Sequence, residues 1–274
     1  VILDNGSVSC WGYNSNGQLG DGSNTNRNTP TLTGSLGVGR TAVGISSAGS
    51  HVCVILDNAS LSCWGNNGYG QLGDGTSTSR STPAQTSSLG ANRTAVLSER
   101  DLDDDGVLNI FDSTPYPATT NPSNPLPQRN VAGFQEGSIY TNTTLSSGYS
   151  HTCAILDNGS VSCWGYGGFG SLGNGGTSDK LTPTLTSSLG TGRTAVALSS
   201  GLHHICAILD NGSVSCWGYG GSGQLGNGNT SNQYSPTLTS SLGTGRTAVA
   251  VSSGADHTCA LLDNGSVSCW GYGD

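Results

Sequence analysis

The sequence has no methionine, a single lysine (Lys180) and only three phenylalanines among its 274 residues. Without a Met the start residue itself is missing, so Val1 is expected to follow an earlier stretch in which a secretory leader could lie. Charged residues are equally scarce, at 9%, and sum to −8. That removes the generic attraction to phosphate backbones, and no nucleic-acid partner is expected. No apolar run approaches the ~20 residues of a spanning helix, so no membrane span is expected either. What the chain has instead is 44 glycines with 33% hydrophobic residues, too apolar for a charged disordered chain and too rich in glycine for helix to dominate. The expectation is a soluble, β-rich protein.

One stretch organises the rest. Cys206-Ala207-Ile208-Leu209-Asp210-Asn211-Gly212-Ser213-Val214-Ser215-Cys216-Trp217 recurs in near copies ending at Cys10, Cys63, Cys163, Cys216 and Cys269. It reads as a β-hairpin, with alternating small and apolar residues either side of a turn cluster. A three-residue Asp210-Asn211-Gly212 loop, a type I turn closed by a glycine bulge, sets Cys206 opposite Cys216 and Ile208 opposite Val214. Ile205, Ala207 and Leu209 then share the other face with Trp217, Ser215 and Ser213. Both faces are small or apolar, which suits a strand pair buried between neighbouring sheets.

The spacing from Cys10 to Cys63, Cys163 to Cys216 and Cys216 to Cys269 is 53 residues each time, an internal repeat. Each unit runs through Cys-Trp-Gly, a glycine-rich turn ending Leu-Gly-(Asp/Asn)-Gly, a Pro-containing extended segment and Gly-x-x-Arg-Thr-Ala-Val, about four short strands. Such a sheet cannot bury both faces alone, and propeller blades solve that problem by stacking.

The run Cys-Trp-Gly-x-x-x-x-Gly-Gln-Leu-Gly-(Asp/Asn)-Gly at Cys63 to Gly75 and Cys216 to Gly228, preceded by His-x-Cys, resembles the repeat of the regulator of chromosome condensation family. Trp11, Trp64, Trp164, Trp217 and Trp270 all fall in register with it. The resemblance implies an all-β fold, a β-propeller of four-stranded antiparallel blades, of which this chain supplies four to five in a ring of seven. It is expected to sit in a secreted bacterial or archaeal branch of the family. Known functions of the family range from guanine-nucleotide exchange on a small GTPase to secreted propellers that bind and inhibit other proteins, so the fold does not fix the function.

The periodicity breaks once. The interval from Arg93 to Cys153 is 47 residues longer than that from Arg193 to Cys206, placing an insertion at 98–144 between propeller parts 1–97 and 145–274. Five of the nine prolines fall in it (Pro115, Pro117, Pro122, Pro125, Pro127), so it is expected to be a loop-like excursion on the surface. Within it, Asp101, Asp103, Asp105, Gly106, Val107, Asn109 and Asp112 have the spacing of a calcium loop, Val107 through its carbonyl. Alternate side chains of a tight turn converge, and crowded carboxylates repel without a cation. Continued by Ser113-Thr114-Pro115, the run resembles the aspartate-rich calcium repeats of thrombospondin type 3; Asp112 in place of Glu departs from an EF-hand switch and leaves a structural Ca2+. A solvated acidic turn is the alternative.

The cysteines pair by register as Cys53/Cys63, Cys153/Cys163, Cys206/Cys216 and Cys259/Cys269, with the partner of Cys10 falling before Val1. Opposed positions of a non-hydrogen-bonded pair suit disulfides and an oxidising compartment, while reduced core cysteines are the other reading. His51, His151, His204 and His257 each precede a cysteine by two, and a histidine in every unit points to a blade-to-blade hydrogen bond rather than catalysis. His203 is off the pattern. The Gly-x-Gly-x-x-Gly matches at Gly68, Gly168 and Gly221 open no helix, so they are read as turns and not dinucleotide sites. Arg40, Arg93, Arg193 and Arg246 either ring one face or pair with an Asp or carbonyl of the adjacent blade. The Asn-x-Ser sequons at Asn5, Asn58, Asn158, Asn211 and Asn264 are by-products of the turn.

No catalytic set stands apart from the repeat. The function expected is a secreted or cell-surface scaffold, extracellular, that binds a protein or glycan partner through loops at one propeller face. A nucleotide-exchange or regulatory factor for a small GTPase is the alternative, and would need reduced cysteines.

Overall fold

The computed structural model describes residues 1–96 and 144–273. All regular structure in the described residues is β apart from one 3-10 turn at Gly168–Gly170. Blade I is a pair, β1 Ser9–Gly12 and β2 Arg27–Leu32. Blade II holds β3 Ala42–Ala48, β4 His51–Leu56, β5 Leu61–Gly65 and β6 Arg80–Gln85. Blade III holds β7 Leu145–Ser147, β8 His151–Ile155, β9 Val161–Gly165 and β10 Lys180–Leu185. Blade IV holds β11 Ala195–Ser200, β12 His204–Leu209, β13 Val214–Gly218 and β14 Gln233–Leu238, and blade V ends the chain with β15 Ala248–Ser253, β16 His257–Leu262 and β17 Val267–Gly271. Strands pair in chain order and antiparallel within every blade, which is the up-and-down meander of a propeller.

The hairpin register is the one the turn chemistry predicts. Cys206 faces Cys216 and Ile208 faces Val214, with Gly212 at φ 79° closing the three-residue loop. Asn211 accepts from both the backbone N–H and the hydroxyl of Ser213, an Asx turn repeated in the other blades. Ala59 holds the same place in blade II at φ 60°, where L residues are strained.

Each of blades II to IV buries its two faces against two different neighbours. Cys153, Ile155, Val161 and Cys163 of blade III pack on Ile205, Ala207, Leu209 and Trp217 of blade IV, and the same faces meet at the blade II–III junction. Trp164 reaches back so that its indole N–H donates to the Gln71 carbonyl at 2.9 Å, as Trp64 does to Gln18 and Trp217 to Ser171. Gly73 lies under that indole: a Cβ there would come within 2.8 Å of Trp164 Nε1, and its φ of 68° independently demands glycine. This explains the Leu-Gly of every unit.

The first strands of successive blades touch one another and so lie nearest the axis. They are laced together by serines: the Ser147 N–H donates to Ser46 Oγ, Ser200 to Ser146, and Ser253 to Ser199, each at 2.8–2.9 Å. On this innermost strand the chain leaves at Val96 and returns at Thr144. Val96 N–H donates to Ile155 O, Ile155 N–H donates to Thr144 O, and Thr144 Oγ1 donates to Val96 O at 2.7 Å, so the two ends meet inside blade III. The corresponding place in blade IV is the bulge between Ala195 and Ala197.

Candidate functional site

Four disulfides staple the middle strands of blades II to V: Cys53–Cys63, Cys153–Cys163, Cys206–Cys216 and Cys259–Cys269, with Cα atoms 4.0–4.1 Å apart, and Cys10 is a free thiol. The proposed calcium ligands Asp101, Asp103, Asp105, Val107, Asn109 and Asp112 lie outside the described residues. Among the described residues no group of three or more His, Cys, Asp or Glu is arranged to hold a metal.

Three of the four repeated histidines, His51, His151 and His204, are buried and they are not equivalent, while His257 of blade V is exposed. Thr152 gives its hydroxyl proton to the Gln71 carbonyl, so the 2.8 Å contact with His51 must be a bond donated by Nε2–H. His204 does the same to Thr258 at 2.9 Å. His151 departs from the expected blade-to-blade bond: the matching residue of blade IV is Ile205, and both its ring nitrogens are buried without a partner. Burial drives all three below the ordinary imidazole range, His51 and His204 to about 4 and His151, with the other histidines nearby, to about 3.

The arginines also correct their expected partner. Arg40 pairs with Asp57, Arg93 with Asp157, Arg193 with Asp210 and Arg246 with Asp263, at 3.2–3.4 Å. Each aspartate stands in the hairpin turn of the very blade its arginine leads into, not of the adjacent one. These pairs are partly exposed and contribute little stability. They line the end of the blades that carries the Asp-Asn-Gly turns, and that end is nearly identical from unit to unit apart from the insertion that leaves at Val96 and returns at Thr144 beside the blade III turn.

The opposite end is where the units differ. It carries the turn between strands one and two and the long loop between strands three and four, tied together in blades II to V by a bond such as Tyr166 N–H to Ser150 O. The residue after Cys-Trp-Gly is Tyr13, Asn66, Tyr166, Tyr219 or Tyr272, and three further on stand Asn16, Tyr69, Phe169 and Ser222. These positions build a row of rings across blades II to IV: Tyr69–Tyr166 at 5.1 Å between centroids, Tyr166–Phe169 at 6.3 Å and Phe169–Tyr219 at 5.1 Å. Half-buried His203 lies beside it, 5.7 Å from Tyr166, 5.4 Å from Phe169 and 6.4 Å from Tyr149. Burial lowers its pKa, partly opposed by Asp256.

Local sequence explains the row. Tyr166 and Tyr219 fold over Gly168 and Gly221, where a Cβ would strike the phenol oxygen. Tyr13 has Ser15 at that place and projects into solvent, 63% exposed. Sequence reasoning singled out His203 alone of this group; the rings could have been found by comparing units with one another for where they disagree.

A family model described as the regulator of chromosome condensation (RCC1) repeat matches residues 5–55, 60–97, 158–208 and 211–261. The chain is 27% identical over 291 residues to the human E3 ubiquitin-protein ligase HERC2, covering 100% of this chain and 6% of that protein. To the ultraviolet-B receptor UVR8 of Arabidopsis thaliana it is 25% identical over 277 residues, covering 98% of this chain and 61% of the receptor. Among solved structures, Prp20p from Saccharomyces cerevisiae superposes with a TM-score of 0.69 at 20% identity, over 97% of this chain and 53% of that one. Human WBSCR16 superposes with a TM-score of 0.66 at 21% identity, over 95% and 54%. The structural likenesses carry the fold, and the chain spans only part of each of these relatives.

Proposed function

The chain belongs to the regulator of chromosome condensation repeat family, and from that premise we propose that it is a non-catalytic, protein-binding scaffold that holds its partner on the aromatic loop face. One observation carries the reading: the insertion apart, the loop residues that differ between units meet at one end of the blades, and there they assemble a row of partly exposed rings in mutual contact. Tyr, Gly, Ser and Asn dominate these loops, a composition that gives large contact area at low entropic cost. Prp20p, which shares the fold, has binding properties toward Gsp1p and histones, so protein binding is at home on this fold. The disulfides support a secreted or cell-surface, oxidising location, and the spacing of Asp101 to Asp112 supports a Ca2+ that orders the insertion.

The test is affinity capture on the immobilised chain with two double variants. Tyr69→Ala with Phe169→Ala should lose the partner, and Arg40→Ala with Arg193→Ala, on the opposite end, should keep it. Loss with the arginine pair and retention with the ring pair would place the docking face at the wrong end. A nucleotide-exchange factor would instead require the eight bridged cysteines as free thiols, which alkylation of native protein counts directly.

A further inference from the structure

We infer that the aromatic row takes an uncharged, proline-containing extended segment of the partner protein, with Phe169 as its anchor; this rests on the loop-face reading above. The first support is strain. Phe169 sits at φ 61°, one of three non-glycine residues with positive φ among the described residues, whereas Asn16, Tyr69 and Ser222 at the same place in other units do not. A bulky side chain is strained there, and such strain collects at binding sites.

The cause is a single residue. In the other loops a glutamine side chain caps the N–H two residues before it: Gln18 accepts from Asn16, Gln71 from Tyr69 and Gln224 from Ser222, each at 2.9 Å. Blade III has Ser171 there, too short to reach Phe169. Its hydroxyl donates to the Tyr166 carbonyl instead, its N–H closes the 3-10 turn on Gly168, and Phe169 is turned between Tyr166 and Tyr219. The substitution that forfeits a good cap is the one that completes the row.

The geometry of the row fits one backbone. A polyproline II strand advances about 6 Å in two residues, close to the ring-to-ring steps of 5.1–6.3 Å, so successive X-Pro pairs can lie across the tops of consecutive rings, which themselves touch edge to face. Such a segment makes no internal hydrogen bonds, and its prolines have no N–H, so its backbone offers chiefly carbonyl acceptors. The hydroxyls of Tyr69, Tyr166 and Tyr219 can donate to them. No residue of the row carries a formal charge; of the loop carboxylates around it, Asp74 is paired with Arg80 at 2.8 Å, Asp179 accepts from the Gly167 N–H and Asp256 accepts from the Gln224 side chain. The rings themselves therefore offer a charged ligand no partner.

The experiment titrates the whole chain, by two-dimensional amide NMR, with a proline-rich decapeptide of X-Pro pairs, with its all-alanine counterpart and with chitohexaose. The inference expects saturable shifts in residues 66–71, 166–171 and 219–224 with the proline peptide alone. Phe169→Ala should weaken binding by at least about tenfold. Ser171→Gln, which keeps the ring but restores the cap, should also weaken it while leaving the thermal midpoint unchanged or higher. Equal binding of the alanine peptide, preference for the sugar, or affinity indifferent to both substitutions overturns the inference. If the protein partner of the capture experiment still depends on Tyr69 and Phe169 while no proline peptide binds, this inference falls and the loop-face reading stands.

Discussion

Acidification should unfold this propeller through three buried histidines well before its carboxylates are protonated. His51, His151 and His204 are neutral in the fold because burial lowers them to about 4, about 3 and about 4, against an ordinary 6.5. The sign follows from which state binds the proton: below pH 6.5 the unfolded chain takes up protons that the folded chain refuses, so stability is complete above that value and lost as pH falls toward the native pKa. From pH 7 to 5 each histidine contributes a loss of about 2 kcal/mol, and the three together about 6 kcal/mol, comparable with the whole stability of a small domain. The structure supplies the reason the proton is refused. Nε2 of His51 and of His204 already donates to a threonine, Nδ1 of each is buried with no acceptor, and His151 has no partner at either nitrogen. Urea unfolding followed by tryptophan fluorescence at pH 7, 6 and 5 should give a falling midpoint with a slope of about 4 kcal/mol per pH unit at the acid end. His151→Phe should reduce that slope by a third, whatever it does to stability at pH 7. A midpoint unchanged between pH 7 and 5 would refute the reasoning, because it would mean that these rings are protonated and solvated in the native state.

Further outcomes follow from single positions. Ala59→Gly should raise stability by about 1 kcal/mol, read as an increase in thermal midpoint, since φ 60° suits glycine and the four sister turns have it. Cys216→Ala with Cys206→Ala should cost about 2–3 kcal/mol in urea unfolding, as the bridge closes a short loop, and native protein alkylated without reductant should label Cys10 alone. Gly73→Ala should cost more than that, because the new methyl meets the Trp164 indole at a backbone φ alanine resists. Calorimetry on the whole chain should find one Ca2+ site that Asp103→Ala with Asp105→Ala abolishes, and chelation should leave the far-ultraviolet spectrum of the blades unchanged.

Most of the scaffold was legible because repetition multiplies weak local signals. One Asp-Asn-Gly turn is ambiguous between two registers, but a cysteine ten residues from another in four units, with small residues on both faces, favours the register that Cys206 and Cys216 show. The blade-to-blade role of the histidines was readable for the same reason. Its failure at His151 was not, since the partner is set by residue 205 in the next blade, and nothing local marks an isoleucine there as the loss of a hydrogen bond. The arginine pairs went to the wrong blade in sequence reasoning because the Asp-Asn-Gly turn closes back toward the connection that enters its own sheet, which only the three-dimensional meander reveals. The ring row was hidden by a deeper difficulty: its members come from three blades, and no two of its direct ring pairs share the same sequence spacing.

That difficulty also shows why the row stands where it does. Within a unit, strand faces are committed to both neighbours, through apolar packing and the indole–carbonyl bonds, and the hairpin end is committed to its Asx turn and arginine pair. The loop end is constrained at fewer points: the glycine under the next indole, a buried anchor such as Asn67, and the cap from Gln71. Variation there leaves every interface between blades intact, as the swap of Gln for Ser at 171 illustrates: Trp217 still donates to the residue 171 carbonyl, because that bond uses backbone alone. A repeat built this way can change what it touches without changing how it stacks, and the one loop that gave up its cap is the loop that carries the strained phenylalanine.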